Sequence, residues 1–447
     1  MSGAAPKGAV PPPALRRTIG PVQLTFYALG SMLGSGVYGL IGQAAGVVGN
    51  AVWLAFLVAL VAALLTALSY ASLGSRYPHA GGAAYVVQRA FRTPGLSFVV
   101  GLAVACASLL SVATQSRVFA ANLGELVGAP SQASLIAFGF ILALTGVVLR
   151  GIREAVWVNV LCTLIEAGGL LLVIGFGARY WGAVDYLEVP PAAAGDPSLA
   201  ILAMQGAVLT FFAYIGFEDS INVAEECRDP QRTIPLGLIG AMLLSALLYV
   251  AVAVTAVSVV PWRDLAQAPG PLTAVMARAA PWLPTVIFTG ITLFAVANTA
   301  LVNYVTASRL LYGMARQGLV SERLGAVHDT RRTPHVAIWV ILLVLTPLSL
   351  LGGVAQLAAA TVLLLLAVFA VVNGALIVLK LRSSEQPGRF EVSLLVPVAG
   401  ALACSGLVII RSATGDWTAL ALAAAILAGI IAAFLVLRPK GGGETAP

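Results

Sequence analysis

The chain has 447 residues, of which 60% are hydrophobic and only 10% charged, with a formal net charge of +7. Soluble domains carry about 25% charged residues, so this composition favours an all-α polytopic membrane protein over a soluble enzyme. Lysine and arginine lie between apolar segments and not on one basic face, which argues against nucleic-acid binding. The four cysteines form no CxxC pair and the three histidines lie outside the apolar segments, so neither a metal site nor a cofactor is predicted.

Twelve apolar segments follow one another along the chain, and each approaches the roughly 20 residues that a helix needs to cross a bilayer. The sequence therefore predicts 12 transmembrane helices. They lie near 21–47, 51–75, 97–122, 132–149, 156–178, 201–225, 235–260, 283–312, 335–352, 356–380, 393–411 and 417–437. Residues 1–20 are expected to form a disordered cytoplasmic N-terminus, residues 21–440 a single transmembrane domain, and residues 441–447 a cytoplasmic tail.

The distribution of lysine and arginine among the links predicts the orientation of the chain. With the N-terminus in the cytoplasm, the outward-facing links hold few cationic residues, namely Arg179, Arg263, Arg278 and Arg411. Cytoplasmic loops of membrane proteins carry the excess of lysine and arginine. The sequence thus predicts a multi-pass protein of the cytoplasmic (inner) membrane, surrounded by the lipid bilayer, with both termini in the cytoplasm.

Glycine interrupts two spans at matching positions. The first span contains GSMLGSG at residues 30–36, and the sixth contains FFAYIGFE at residues 211–218. Each is the first of five spans in a possible repeat, and the two repeats would cover residues 21–178 and 201–380. Two further helices follow at 393–437. Such paired interruptions indicate the binding site of a membrane transporter, because unwound backbone at membrane depth lines a cavity. Close helix packing through small residues would explain the glycines equally well.

Ionisable residues inside apolar spans are costly and mark either functional sites or paired structural charges. Glu166 lies in the fifth span, and Glu218 and Asp219 follow the break in the sixth. Glu218 is the stronger functional candidate because it is next to the break. Asp219 lies about 100° further round the helix, so the two acids are not expected to face one cavity. Arg117 in the third span is interpreted as structural.

Four blocks of sequence resemble the amino acid–polyamine–organocation (APC) superfamily of permeases and cover most of the first ten spans. In chain order they read GSMLGSGVYGLIG, SYASLGSRYPHAGGAAYVVQRAF, FFAYIGFEDSINVAEECRDPQRTIP and NTALVNYVTASRLLYGMARQGLVSERL. Their order and spacing make a chance match improbable. The resemblance implies a leucine-transporter-type fold, in which two halves of five spans form an inverted repeat and two more helices follow.

The resemblance also implies a substrate site between the broken first and sixth spans. Backbone N–H groups would bind the substrate carboxylate, and backbone carbonyls would bind its α-ammonium group. Carried over by matching positions, the N–H groups belong to Ser35 and Gly36, the carbonyls to Met32, Phe212 and Ile215, and the nearby acid is Glu218. Phe212 matches the aromatic residue that occludes the site, so it is also the expected gate.

Further motif residues match family positions near the cytoplasmic ends of the helices. They are Tyr77, Gly81, Gly82, Glu225, Glu226 and Arg309. We interpret them as loop and gate structure and not as substrate ligands.

One departure from the family concerns ion coupling. Many members carry a lysine in the fifth span, where sodium-coupled relatives bind an ion, and the aligned residue here is Glu166. Burial raises the pKa of a carboxyl group towards neutrality. Glu166 or Glu218 is therefore the candidate proton-coupling group. Sodium binding by Glu166 is the alternative, because a hard cation prefers oxygen ligands.

These observations together predict a secondary active transporter of amino acids, working by proton-coupled symport and alternating access. Two alternatives stay open, which are an amino acid/amine (polyamine) antiporter and a non-transporting membrane receptor of the same fold. A channel would need a repeated filter segment, and an enzyme would need a nucleophile–base pair or metal ligands, and neither pattern is present. The expected partners are an amino acid or amine and lipid, and the oligomeric state is not predicted.

Overall fold

The computed structural model describes residues 17–79, 82–190, 199–268, 270–349, 354–414 and 417–437. Within these stretches the chain is all-helical and contains no β-strand. Its α-helices are α1 Pro21–Met32, α2 Ser35–Val48, α3 Val52–Arg76, α4 Gly82–Phe91, α5 Pro94–Leu126, α6 Ala133–Arg150, α7 Ile152–Gly177, α8 Leu199–Tyr214, α9 Asp219–Asn222, α10 Pro230–Val259, α11 Trp262–Gln267, α12 Pro271–Ala279, α13 Thr285–Arg316, α14 His335–Leu348, α15 Val354–Leu381, α16 Leu395–Thr414 and α17 Trp417–Leu437.

Nine helical segments of the described chain are long and apolar enough to cross a membrane. They are Ile41–Arg76, Pro94–Gly124, Pro130–Arg150, Ile152–Tyr180, Leu199–Asn222, Pro230–Val259, Thr285–Arg316, Ala360–Leu381 and Leu420–Leu437. Two shorter apolar helices, His335–Leu348 and Leu395–Ile410, coincide with predicted spans. The protein is therefore a polytopic α-helical membrane protein, as its composition predicts.

The first and sixth spans are both interrupted, as predicted. Helix α1 ends at Met32 and α2 begins at Ser35, whereas α8 ends at Tyr214 and α9 begins at Asp219. The interruption of the sixth span is shorter than the predicted segment 211–218, because the helix continues through its first four residues. The unwound part consists of four residues, Ile215 to Glu218.

Small residues let the interrupted helices approach their neighbours. Helix α2 packs against α8, and α1 packs against α7 and α10. A Cβ atom on Gly237 of α10 would lie 2.9 Å from Leu24 of α1, and one on Gly206 of α8 would lie 2.9 Å from Ala55 of α3. Membrane helices associate through such close contacts, since apolar burial gives little driving force in lipid.

The first described residues are held in place by hydrogen bonds. The N–H groups of Thr18 and Ile19 donate to the carbonyl of Glu226 at 2.8 and 3.0 Å, and Arg228 N–H donates to the carbonyl of Ile19 at 3.0 Å. The sequence assigned these two residues to the disordered N-terminus, so the ordered chain begins earlier than predicted. Residues 1–16 and the predicted tail lie outside the described stretches.

The loop between α15 and α16 is tied to the end of α3 by Glu391. The Glu391 carboxylate accepts hydrogen bonds from Arg76 at 2.6 and 2.8 Å, from Lys380 at 2.7 Å and from the Gly388 N–H at 2.8 Å. Partial burial of this carboxyl opposes its ionisation. The bonds from Arg76 and Lys380 outweigh that effect and lower the pKa of Glu391 to about 2. The loop between α15 and α16 is thereby anchored to the bundle.

The Glu391 contacts predict a pH dependence of stability. A carboxyl whose pKa is lower in the folded state stabilises the fold above its unfolded value of 4.5, and this contribution is lost as the pH falls towards 2. We expect Glu391→Gln to lower the free energy of unfolding by about 1 kcal/mol at pH 7. The difference from the wild type should shrink between pH 4.5 and pH 2.

Unfolding in detergent across this pH range would check the expectation, with Glu322→Gln at an exposed glutamate as the matched control. A difference between wild type and Glu391→Gln that persists unchanged to pH 2 would contradict it.

Candidate functional site

The break in the first span brings the start of α2 against α8. A Cβ atom on Gly36 would lie 2.7 Å from Cα of Ala213, a backbone atom that cannot move aside as a side chain can. A Cβ atom on Gly34 would overlap the hydroxyl of Thr299 in α13. Both glycines are therefore needed for close packing, and the same packing leaves the first N–H groups of α2 at the interface between spans.

The break in the sixth span depends on the backbone conformation of Gly216. This residue has φ = +121°, a region that side-chain-bearing residues avoid. A Cβ atom here would also lie 2.9 Å from the backbone carbon of Ser31 in α1. The N–H of Gly216 donates to the carboxylate of Glu218 at 2.8 Å. Glu218 thus stabilises the turn that ends α8.

A cavity of about 30 Å³ lies between the two breaks. Four of the predicted substrate-binding residues line it, namely Met32, Gly36, Phe212 and Ile215. Glu218 is 4% exposed and is not among the described lining residues, since its carboxylate turns back to Gly216. Ser35 is the first residue of α2, beside Gly36.

Three other helices supply polar residues that the sequence interpretation missed. They are Ser111 and Gln115 of α5, Thr299 and Asn303 of α13, and Thr361 of α15 with its neighbour Leu365. Each pair is four residues apart, so both members lie on one face of their helix. In α5 and α13 this i, i+4 spacing of polar residues within an apolar span is the signal that could have found them, whereas Thr361 is paired with the apolar Leu365.

The size of the cavity limits what it holds in this conformation. A water molecule needs roughly 10–15 Å³ of such space, so 30 Å³ accommodates two or three waters. An engineered cavity that binds benzene is about 150 Å³. In this conformation the cavity is therefore too small for a molecule the size of benzene.

Glu166 lies behind the first break and is fully buried in α7. Neither of its carboxyl oxygens is in a hydrogen bond of good geometry within the described chain, although the Asn298 side chain lies close enough to interact with the carboxyl group. The nearest polar groups form a chain in which the Asn159 amide donates to Asn298 at 2.8 Å and the Asn298 amide donates to Thr163 at 3.0 Å. A Cβ atom on Gly30 of α1 would overlap these three side chains. Glu166 thus occupies a polar junction of α1, α7 and α13.

Asp219 contacts the first break directly. The Ser31 hydroxyl donates to Oδ2 of Asp219 at 2.6 Å, and both residues are 3% exposed. Ser31 also lines the cavity. The two adjacent acids of the sixth span therefore have different partners, since Glu218 binds its own turn whereas Asp219 binds the first span.

The predicted gate-region residues form an ion pair remote from the cavity. Arg309 and Glu226 are fully buried, and their side chains are 3.4 Å apart. The Arg309 guanidinium also donates to Ser308 at 2.8 Å. Tyr77 donates to Glu385 at 2.6 Å. These contacts agree with a structural interpretation, and Gly81 of the same motif lies outside the described residues.

A large side chain at position 82 is expected to impair folding and not to change substrate choice. Its φ is +41°, and a Cβ atom would overlap the side chain of Asn222 and lie 2.9 Å from Ile221. We expect Gly82→Leu to lower the yield of folded protein at least about tenfold, because backbone strain and a clash add together. Gly128→Leu is the matched control, since Gly128 has φ = +70° and open space around it. Size-exclusion profiles of the two variants in detergent would measure this, and equal yields would contradict the expectation.

Comparison with known proteins identifies the family. The family model described as amino acid permease matches residues 19–437, nearly the whole chain. The chain belongs to the amino acid permease family. Members of this family are APC-type membrane transporters and not enzymes, which confirms the resemblance found in the sequence.

Several curated proteins resemble this amino acid permease family member along most of its length. The branched-chain amino acid permease BcaP of Bacillus subtilis is 28% identical over 445 residues, or 95% of this chain and 94% of that protein. The methylthioribose transporter of Bacillus subtilis is 27% identical over 417 residues, or 88% of this chain and 87% of that protein. Cationic amino acid transporter 9 of Arabidopsis thaliana is 30% identical over 338 residues, or 71% of this chain and 58% of that protein.

Proposed function

We propose that this chain imports amino acids as a proton-coupled symporter that alternates access to a site between its two broken spans. The observation that carries the proposal is the cavity at which Met32, Gly36, Phe212 and Ile215 meet. Names of relatives add support, because they include a branched-chain amino acid permease and a cationic amino acid transporter. A polar cavity between unwound segments is the arrangement that alternating access requires.

The proposed binding mode follows from the ends of the broken helices. The N-terminus of α2, with the N–H groups of Ser35 and Gly36, would hold the substrate carboxylate, because unpaired N–H groups and the helix dipole favour an anion. Carbonyls of Met32, Phe212 and Ile215 would accept hydrogen bonds from the α-ammonium group. Phe212 would also act as the gate. Glu218 is proposed to maintain the backbone conformation of the part of the site that would bind the ammonium group, because its carboxylate stabilises the turn at Gly216.

The proposal includes the topology. Nine spanning segments, the broken first span and two shorter apolar helices would give 12 crossings. Residues 21–178 and 201–380 would form the two inverted halves, and the helices of 393–437 would follow them. Both termini would lie in the cytoplasm, with the Glu226–Arg309 pair at the cytoplasmic end.

Glu166 is the proposed proton-coupling group, with Glu218 as the second candidate. A buried carboxyl without a hydrogen bond of good geometry is less stable when ionised, so a proton arriving at Glu166 would be retained until its surroundings open. Glu218 differs in that its carboxylate already accepts a hydrogen bond from the Gly216 N–H. Sodium binding at Glu166, assisted by the oxygens of Asn159 and Thr163, is the alternative that the same junction supports.

Uptake into proteoliposomes tests the proposed function. The panel would contain labelled L-leucine, L-alanine, L-lysine, putrescine and methylthioribose, each with and without an inward proton gradient and then with sodium. We expect accumulation of an amino acid that depends on the proton gradient.

Three other results would replace the proposal. Movement only into preloaded vesicles would indicate an antiporter, and sodium-driven accumulation would indicate sodium coupling. Binding without movement, by protein shown to be folded, would indicate a receptor.

A further inference from the structure

We propose that Ser31 and Asp219 together recognise the α-ammonium group of the substrate, with Asp219 acting as a positioning residue through Ser31. This inference rests on the proposed function. It adds a side-chain element to a binding mode that otherwise uses backbone groups alone.

The geometry joins a cavity residue to a buried acid. Ser31 lies in the last turn of α1 and lines the cavity between the breaks. Its hydroxyl donates to Asp219 at 2.6 Å, the short distance typical of a bond to a carboxylate. Both side chains are 3% exposed, so the bond is shielded from bulk solvent. Gly216 permits this contact, because any side chain there would displace Ser31.

The hydrogen-bond inventory of a serine determines what Ser31 offers the substrate. A serine hydroxyl has one proton and two lone pairs. Because the proton of Ser31 is given to Asp219, the oxygen presents only lone pairs to any further group. It is therefore an acceptor, which suits an ammonium group and not a carboxylate. The neighbouring carbonyl of Met32 is also an acceptor, and it already accepts a hydrogen bond from the Tyr249 hydroxyl, which leaves its second lone pair for a ligand.

The charges around Asp219 favour the same ligand. Glu218 is adjacent in the chain, and Tyr27 of α1 and Tyr70 of α3 lie within electrostatic range. None of these three groups is a cation. The nearest cation, Arg309 of α13, is paired with the carboxylate of Glu226 at 3.4 Å. A cationic group entering the cavity beside Ser31 would therefore be attracted by negative charge that this neighbourhood leaves uncompensated.

A neutral replacement of Asp219 would reverse the polarity of Ser31. An asparagine amide can donate to the Ser31 oxygen, and the Ser31 proton then turns towards the cavity. The site would lose both its acceptor and its nearby negative charge. Asp219→Asn should consequently weaken the binding of substrates that carry an ammonium group. It should leave analogues without that group unaffected.

The experiment compares each amino acid with its 2-hydroxy acid, in which an uncharged hydroxyl replaces the ammonium group. Equilibrium binding to purified protein would be measured for L-leucine with L-2-hydroxyisocaproate and for L-alanine with L-lactate. We expect Asp219→Asn to weaken amino acid binding about tenfold to hundredfold, with less than about a twofold change for the hydroxy acid. Ser31→Ala should give a smaller loss of the same selectivity. The double variant should bind no worse than Asp219→Asn, because the two residues act in series.

Thr346→Val is the control, because Thr346 of α14 donates to the carbonyl of Leu342 in its own helix and is not among the residues that line the cavity. Its preference for amino acid over hydroxy acid should equal that of the wild type. Equal weakening of both ligand classes in Asp219→Asn and Ser31→Ala would overturn the inference and assign the pair a structural role. Failure of the wild type to bind any amino acid of the uptake panel would overturn the proposed function together with the inference. If Asp219→Asn does not fold, Ser31→Ala carries the same comparison.

Discussion

Gly36→Val is expected to abolish substrate binding and transport. The new Cβ would lie 2.7 Å from Cα of Ala213 and 3.2 Å from its backbone nitrogen, so α2 and α8 must separate. Contacts under 3.0 Å with backbone are relieved only by moving a helix, which displaces the proposed carboxylate site. A misplacement of about 1 Å is enough to cost roughly a hundredfold in function. Initial uptake rates and binding in detergent would both be measured.

Gly139→Val in α6 is the matched control, because a Cβ atom at Gly139 meets nothing within 4 Å. It introduces the same β-branched residue into a helix without forcing two helices apart. Folded Gly36→Val protein that binds an amino acid as tightly as the wild type would show that the break between α1 and α2 is not the carboxylate site.

Glu166→Gln is expected to separate transport from the proton gradient. The substitution keeps the shape of the side chain and removes its ability to take up a proton near neutral pH. Exchange of labelled for unlabelled substrate should continue, whereas gradient-driven accumulation should fall at least about tenfold. Stability should change little, because the glutamine oxygen is still an acceptor for the Asn298 side chain. Accumulation, exchange and thermal unfolding of one preparation would test all three expectations.

Glu154→Gln, at an exposed position in the first turn of the same helix, controls for the loss of a negative charge from α7. Accumulation by Glu166→Gln that keeps its full dependence on the gradient would exclude Glu166 as the coupling group. Sodium provides a separate test, since sodium that raises the unfolding temperature of the wild type but not of Glu166→Gln would favour the cation-site alternative.

The sequence was sufficient to predict the membrane fold and both interruptions. Glycine at positions 34, 36 and 216 carried that prediction, because a missing Cβ atom has only a few structural explanations. The two explanations weighed, an unwound cavity wall and close packing, are both present at Gly34, which lies between α1 and α2, lines the cavity and packs against Thr299. The resemblance to APC permeases then located Met32, Phe212 and Ile215, which line the cavity.

The remaining half of the cavity could not be predicted, because its polar side chains also form hydrogen bonds with carbonyl groups of their own helices. The hydroxyl of Thr361 donates to the Leu357 carbonyl at 2.8 Å, and the Asn303 amide donates to the Thr299 carbonyl at 2.9 Å. A polar residue that bonds its own helix looks the same in sequence whether it faces a cavity or a neighbouring helix. Only the packing of α13 and α15 around the breaks distinguishes the two cases.

The direction in which a side chain points was the second feature that the sequence could not predict. Glu218 was the preferred candidate from its place beside the break, yet its carboxylate bends back two residues to the Gly216 N–H. Asp219 received no role, although it is the acid whose partner lines the cavity. Residue spacing gives the angle between two side chains on an ideal helix, and that angle has little meaning where the helix has just ended.

The small volume of the central cavity also bears on leakage across the membrane. Two or three waters in 30 Å³ cannot by themselves connect the two faces of a hydrocarbon layer about 30 Å thick. A proton moving by Grotthuss transfer needs an unbroken file of water or side chains. In this conformation the central cavity therefore does not let protons leak across the membrane. A carrier that adopts this conformation without substrate would preserve the proton gradient between turnovers.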